Sequence, residues 1–254
     1  MRYKNIIYIF SLLLLLVGCA TTTTSNKKTE EKNIATEVSL KDGIFYYTGL
    51  IDKVANEKLI AMYNELDIKP LWINVKSKGG EINTGMDLGE WIYKVNLNIR
   101  VLDYCLSSCA NYIFTAAHKK IVSNNAMIGF HGGASSVEFD SSENDAMIAA
   151  LPTEQQKSER EKFDKMLKQY LDKTNKREKG FFDMIGVSQS ITTLGQSPVY
   201  YELYGLDDAY QGWYYSIADF RKLGVNNISV IKPPWQPRQL SKNAKSFKVE
   251  VNDL

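Results

Sequence analysis

The residues of this chain that are suited to chemistry are a serine pair, one histidine and two glycine pairs. Ser108 follows Cys105-Leu106-Ser107 at the predicted start of a helix, where amides and the helix dipole favour a developing negative charge. His131 follows a predicted strand, and Gly79-Gly80 ends another, where backbone amides can approach a ligand closely. A nucleophile, a general base and amide donors are the parts that acyl transfer requires.

Spacing alone leaves plainer roles open for the same residues. Ser107 or Ser108 is also a good helix N-cap, and Gly79-Gly80 is also a common turn. His131 is equally interpretable as a structural histidine. The catalytic interpretation therefore depends on the elements that position these side chains.

The cysteines that bracket the serine pair allow three interpretations. Cys105 and Cys109 can form a disulfide in an oxidising compartment, or they are two small buried hydrophobic residues. A zinc site with His118 and His131 is the third, but the spacing Cys-x3-Cys-x8-His-x12-His matches no common zinc pattern. We therefore predict no metal and no other cofactor.

Strands and helices alternate around these residues. Because each strand is followed by a helix, the order predicts an α/β fold with right-handed crossovers and a mostly parallel sheet flanked by helices. Such a sheet places its sites at the carboxyl ends of the strands. Strands are predicted at 44–47, 71–75, 99–102, 121–122 and 127–130, helices at 53–66, 82–93, 110–117, 153–173 and 216–223, and irregular structure at 200–215.

Four segments occur in the order found in the Clp protease proteolytic subunit, and the chain resembles that family over about residues 43 to 228. The segments are the glycine turn 77–85, the serine helix 108–117, the histidine strand 127–131 and the closing segment 215–225. The resemblance implies a ClpP/crotonase-like spiral of ββα units with a protruding helix at 153–173. The paired cysteines are most similar to extracytoplasmic relatives, a lipoprotein branch of the family.

The resemblance also implies residue roles. Ser108 matches the nucleophile, His131 the general base, and the amides of Gly79 and Cys109 the oxyanion donors. The third catalytic residue of the family, an aspartate, falls near Gly212, where this chain has no carboxylate. Asp208 is the nearest candidate acid, together with its neighbour Asp207, if the loop is remodelled.

The N-terminus predicts a bacterial lipoprotein. Arg2 and Lys4 precede an apolar run too short to span a membrane, and Gly18-Cys19 resembles the lipobox of such proteins. Residues 1–18 are therefore predicted to be a signal peptide, and Cys19 the lipidated first residue of the mature chain. Ala20 is not the aspartate that retains some lipoproteins at the inner membrane. We expect attachment to the outer membrane, facing the periplasm.

Composition sets the remaining boundaries. Removal of Arg2 and Lys4 leaves equal numbers of basic and acidic residues, which gives no support for nucleic acid binding. Residues 19–38 are polar and low in complexity, as in a flexible tether. Residues 39–232 are predicted to form the single α/β domain, and residues 233–254 an extended tail.

These features together predict a lipid-anchored serine hydrolase of the cell envelope. The expected reaction is hydrolysis of a peptide or protein substrate, and a homo-oligomer is compatible with the family. The alternative is a binding or scaffold lipoprotein that has kept the fold and lost the catalytic acid. Acyl transfer on thioesters, as in the wider crotonase superfamily, is a third interpretation, disfavoured because such substrates are cytoplasmic.

Overall fold

The computed structural model of the protein describes residues 36–136 and 142–251. The predicted signal peptide at 1–18, the predicted lipidation residue Cys19 and most of the predicted tether at 19–38 lie outside these ranges. Within the described residues, no helix has the length and apolar character needed to cross a membrane.

A six-stranded sheet forms the base of the domain, with strand order β1-β2-β3-β4-β6-β9. The pairs within it are parallel except for the β1–β2 hairpin. Alternate side chains of these strands, such as Ile73 and Val75, enter the core. The strands of the domain are β1 (Glu37–Lys41), β2 (Ile44–Thr48), β3 (Trp72–Lys76), β4 (Asn98–Val101), β5 (Tyr104–Leu106), β6 (Lys120–Ser123), β7 (Met127–Gly129), β8 (Tyr210–Tyr215), β9 (Ile228–Ile231) and β10 (Lys245–Val249).

Two of the helices that flank the sheet begin where a polar side chain satisfies their first amides. Asp52 accepts a hydrogen bond from the Ala55 amide, and the Glu81 carboxylate accepts from the amides of Asn83 and Thr84. The α-helices are α1 (Lys53–Glu65), α2 (Ile82–Lys94), α3 (Ser142–Ala149), α4 (Thr153–Ile185), α5 (Pro198–Tyr204) and α6 (Ile217–Lys222), and a π-helix covers Cys109–Phe114.

A second layer of short strands lies beyond the carboxyl ends of the main sheet. The chain leaves β4 for β5 and the π-helix, and leaves β6 for β7, while Ser77 after β3 pairs with Cys105 of β5. Strands β5 and β7 are parallel neighbours. This repetition of a main-sheet strand, a second-layer strand and a helix is the predicted ββα unit. The predicted α/β fold, with a mostly parallel sheet flanked by helices, is confirmed.

The long helix α4 extends well beyond the predicted range of 153–173. It reaches Ile185 and ends at Gly186, which has the left-handed backbone (φ 67°) that a helix end favours. Its 33 residues give a length of about 50 Å. Phe181 and Phe182 in its last turns are buried, so this half of the helix belongs to the core.

The C-terminal segment differs most from the prediction. Residues 200–215 are not irregular, because they contain the end of α5 and all of β8. The predicted tail at 233–254 contributes β10, which pairs in parallel with β8. Phe247, Val249 and Val251 are buried and alternate with polar residues, which is the pattern of a half-buried strand.

We predict that the tail strand is needed for stability. Phe247→Ala should lower the free energy of unfolding of the protein by about 3 kcal/mol, because it empties a site filled by a buried aromatic ring. Urea unfolding followed by circular dichroism measures the change. Lys248→Ala, at the exposed neighbouring position, should stay within about 0.5 kcal/mol of the wild type. Equal effects of the two substitutions would contradict the packing of β10.

Candidate active site

Two neighbouring strands place a serine and a histidine next to each other. Strands β5 and β7 run in parallel with Leu106 opposite Gly129, and the Ser107 amide donates to the Gly129 carbonyl at 2.9 Å. Ser107 follows β5, and His131 follows β7 after one intervening residue. The His131 Nε2 lies 2.7 Å from the Ser107 Oγ, which is hydrogen-bond distance for a nucleophile and its base.

The serine that meets His131 is Ser107, the neighbour of the predicted Ser108. The Ser108 side chain is almost fully buried, and its hydroxyl donates to the Gly80 carbonyl at 2.7 Å. The structure therefore does not bring Ser108 and His131 together. The sequence signal for Ser107 was its position midway between Cys105 and Cys109.

A π-helix at Cys109–Phe114 follows the serine pair directly. A π-turn closes its hydrogen bond over one more residue than an α-turn, so it contains an extra residue. Such π-turns are frequent at functional sites.

Ser107 holds an uncommon backbone conformation. Its φ is 53°, in the left-handed region that costs a residue other than glycine roughly 1 to 3 kcal/mol. A disulfide joins Cys105 to Cys109 across it, and both cysteines are buried. Because the bond closes the chain on either side of Ser107, it stabilises the turn. It also leaves neither sulfur as a thiolate for the zinc alternative.

Gly79 lies directly against the serine. Its φ is 102°, and a Cβ at this position would stand 2.7 Å from the Ser107 Cβ, so only glycine permits the approach. The Gly79 amide, a predicted oxyanion donor, donates to the Ser77 hydroxyl at 3.0 Å. The other predicted donor is the Cys109 amide. The Ser108 amide is one position closer to Ser107 along the chain and directly precedes the π-helix.

His131 is suited to accept a proton. Desolvation by the surrounding atoms lowers the pKa of its imidazole, and a hydrogen bond to its own backbone opposes that shift. The residue nevertheless has an exposed surface, so a substrate can reach it. A lowered pKa keeps the imidazole neutral near pH 7, which is the form that a general base requires.

Gly212, near which the resemblance places an aspartate, lies beside His131. A Cβ on Gly212 would stand 3.5 Å from the His131 Cβ, so this position is adjacent to the histidine. Asp208, the candidate acid, is exposed in the turn before β8 and makes no hydrogen bond to His131. Its neighbour Asp207 caps the Ala209 amide. The structure therefore does not support the expected loop remodelling toward the histidine.

A buried carboxylate that the sequence analysis missed holds the segment after His131. Glu178 of α4 is fully buried, and its Oε1 accepts from the Tyr112 hydroxyl at 2.6 Å and from the Ala134 amide at 2.9 Å. Gln189 donates to its other oxygen at 2.8 Å. Burial and the adjacent Glu178 raise the pKa of Tyr112 well above its usual value, so the phenol remains a donor.

Asn111 of the π-helix adds a second link to the same segment. Its Nδ2 donates to the Gly132 carbonyl at 2.8 Å. The helix that begins at the serine and the long helix α4 thus both anchor the chain just after His131. The sequence signal for Glu178 was its spacing from Thr174 and Phe181, which places all three on one helical face.

Comparisons with known proteins give partial structural matches. One is the ClpP protease catalytic domain from Plasmodium falciparum, 24% identical over 33% of this chain and 51% of that chain, with a TM-score of 0.26. Another is a protein described as an enoyl-CoA hydratase from Streptomyces coelicolor A3(2), 10% identical over 41% of this chain and 50% of that chain, with a TM-score of 0.27. The aligned regions thus span about half of each neighbour. No protein-family model and no curated protein matches the chain.

We predict that Glu178 stabilises the candidate site. Glu178→Ala should lower the free energy of unfolding by roughly 3 kcal/mol, because it leaves two buried donors and the half-buried Gln189 amide without their acceptor. Glu178→Gln keeps one acceptor oxygen and should lose about 1 kcal/mol. Urea denaturation of the purified protein measures both.

Glu161→Ala provides the matched control, since Glu161 lies on the exposed part of the same helix. We expect it to change the free energy of unfolding by less than about 0.5 kcal/mol. If Glu178→Ala were as stable as this control, the carboxylate would have no anchoring role.

Proposed function

We propose that the protein is a lipid-anchored serine hydrolase of the cell envelope that cleaves peptides or proteins. The observation that carries the proposal is the 2.7 Å contact between the Ser107 Oγ and the His131 Nε2. The nucleophile of this proposal is Ser107, in place of Ser108. The strained Ser107 backbone, bracketed by a disulfide, supports it because such strain persists mainly at functional sites.

The reaction follows from this geometry. Neutral His131 takes the proton of the Ser107 hydroxyl as the Oγ attacks the substrate carbonyl, and the Ser108 amide, the first after the nucleophile, stabilises the oxyanion. His131 then passes the proton to the leaving amine as the C–N bond breaks, which leaves an acyl-serine. A water molecule, deprotonated by His131, hydrolyses that ester and restores Ser107.

No carboxylate within residues 36–136 and 142–251 hydrogen-bonds His131, and this predicts slow turnover. In serine hydrolases the acid fixes the imidazole tautomer and stabilises the imidazolium, yet catalysis of about 10³ to 10⁴ over water survives loss of a triad member. A Ser107–His131 dyad is therefore sufficient for activity. The scaffold alternative rests on the same feature, Gly212 at the position of the acid.

We predict that a fluorophosphonate probe labels the purified domain at Ser107. Ser107→Ala should abolish the labelling, and His131→Ala should slow it at least 100-fold, because the hydroxyl then lacks its base. Ser108→Ala is the matched control one residue away, and it should retain labelling. Mass spectrometry of the labelled peptide identifies the modified serine.

The pH dependence of labelling provides a second readout of the same reaction. Because the pKa of His131 is lowered, the base is neutral at pH 7 and becomes protonated at a lower pH than an ordinary imidazole does. The labelling rate should therefore be flat around neutrality and fall as pH decreases through that lowered pKa. Label on Ser108, or none on the wild-type domain at any pH, would favour the scaffold alternative.

The envelope location rests on the N-terminal sequence. We propose that Cys19 carries the lipid that holds the protein on the outer membrane, facing the periplasm. Cys19→Ser should leave an unprocessed, unacylated precursor, because the thiol is the group that receives the lipid. Metabolic labelling with a radioactive fatty acid measures this, with Cys105→Ser as a control that should still be acylated. Acylation of the Cys19→Ser variant would exclude the anchor.

A further inference from the structure

A cavity of about 510 Å³ opens beside the segment that carries His131. Three of its lining residues also hold that segment. Gly212 lies next to the His131 Cβ, Gln196 donates from Nε2 to the His131 carbonyl at 3.4 Å, and Ser136 accepts from the Gly133 amide at 3.1 Å. The cavity therefore adjoins the segment that carries the histidine of the candidate site. Its volume is within the range of small-ligand pockets.

The walls of this cavity are aromatic and uncharged. No described residue that lines it carries a charged side chain. The aromatic residues come from α5, β8 and β10, so the tail strand contributes to the wall of the pocket. They are Tyr200, Tyr201, Tyr204, Tyr210, Trp213 and Phe247.

Stacking between these rings makes the inner wall rigid. Phe247 stacks on Tyr204 with centroids 4.3 Å apart and planes 8° apart, and on Tyr200 at 5.5 Å. Trp213 packs against Gly195 and donates from Nε1 to the Tyr215 hydroxyl at 3.0 Å. Tyr201, by contrast, is 63% exposed and forms the rim. Ordered aromatic surfaces of this kind favour a flat or bulky apolar group.

The residues that line the cavity contact His131 and the two glycines after it, so the cavity lies on the histidine side of the Ser107–His131 pair. In serine hydrolysis the histidine donates its proton to the leaving amine, so the leaving part of the substrate must lie on the histidine side. A pocket on this side receives a side chain that follows the scissile bond. A pocket for the preceding side chain would instead border the serine and the oxyanion donors.

We propose that this pocket selects an aromatic or large aliphatic residue immediately after the scissile bond, the P1′ residue of a peptide substrate. The proposal rests on the hydrolase function proposed above. Burial of an apolar P1′ side chain against these rings stabilises the bound substrate, whereas a charged side chain would lose its hydration without gaining a counter-ion.

Internally quenched peptides that differ only at P1′ test this preference with the full-length mature protein. We expect kcat/KM for Phe, Tyr or Leu at P1′ to exceed that for Gly, Asp or Lys by about tenfold or more, given the discrimination typical of apolar pockets. The same exchange at P1 should change kcat/KM less. Mass spectrometry of the products locates the cleaved bond.

Charge substitutions at the rim sharpen the test. Tyr201→Lys should reduce the Phe preference at P1′ and raise the rate for Asp, because it places a cation in the uncharged pocket. Tyr201→Glu should instead raise the rate for Lys. Val199→Lys is the matched control, since Val199 is equally exposed on the same helix and does not line the cavity. It should leave the P1′ profile unchanged.

The outcomes separate this inference from the function on which it rests. Ser107-dependent cleavage with no P1′ preference, or with a profile that ignores the charge at position 201, would overturn the pocket assignment and leave the hydrolase intact. A wild-type protein that neither accepts the fluorophosphonate probe nor cleaves any peptide would overturn both.

Discussion

The hydrogen bond from the Ser107 amide to the Gly129 carbonyl joins the ends of β5 and β7, and the candidate site depends on it. It sets the register of two short strands whose next side chains must meet, Ser107 on one and His131 on the other. The disulfide and Gly79 hold the serine turn from two sides, and Glu178 and Asn111 hold the segment after the histidine. A short contact between two loop residues is thus held by neighbours on four different elements.

Apolar runs bounded by glycine and polar turns predicted β2, β3, β4 and β6 of the main sheet, whereas its edge strands β1 and β9 were not predicted. Strand β5 was missed because three residues are too few to show a period, and β10 because its alternation follows a segment rich in proline, lysine and asparagine. The serine that contacts His131 is Ser107, one residue before the predicted Ser108, and two adjacent serines cannot be told apart by residue type. Gly212, near which the resemblance places an aspartate, lies beside His131.

Carboxylates around the histidine are distributed differently from those of a catalytic triad. No carboxylate of the described residues orients the ring, and the buried Glu178 instead orients the backbone that follows it. A backbone anchor restricts where the imidazole is, but it does not stabilise the charge that the imidazole gains during catalysis. Desolvation lowers the pKa of His131, so it also disfavours the charged imidazole relative to the neutral ring. The described residues of the site thus fix the position of the imidazole more than they stabilise its positive charge.

The separation of β8 from β10 along the chain has a consequence for folding order. Ser107 and His131 are brought together by strands close in sequence, whereas Phe247 reaches the aromatic pocket through pairing between residues 210–215 and 245–249, across a longer segment that contains α6 and β9. Contacts that close long loops cost more entropy and form later. We therefore expect Ser107 to contact His131 before the aromatic pocket has formed. An incompletely folded chain would then hold a reactive serine without selectivity for a substrate.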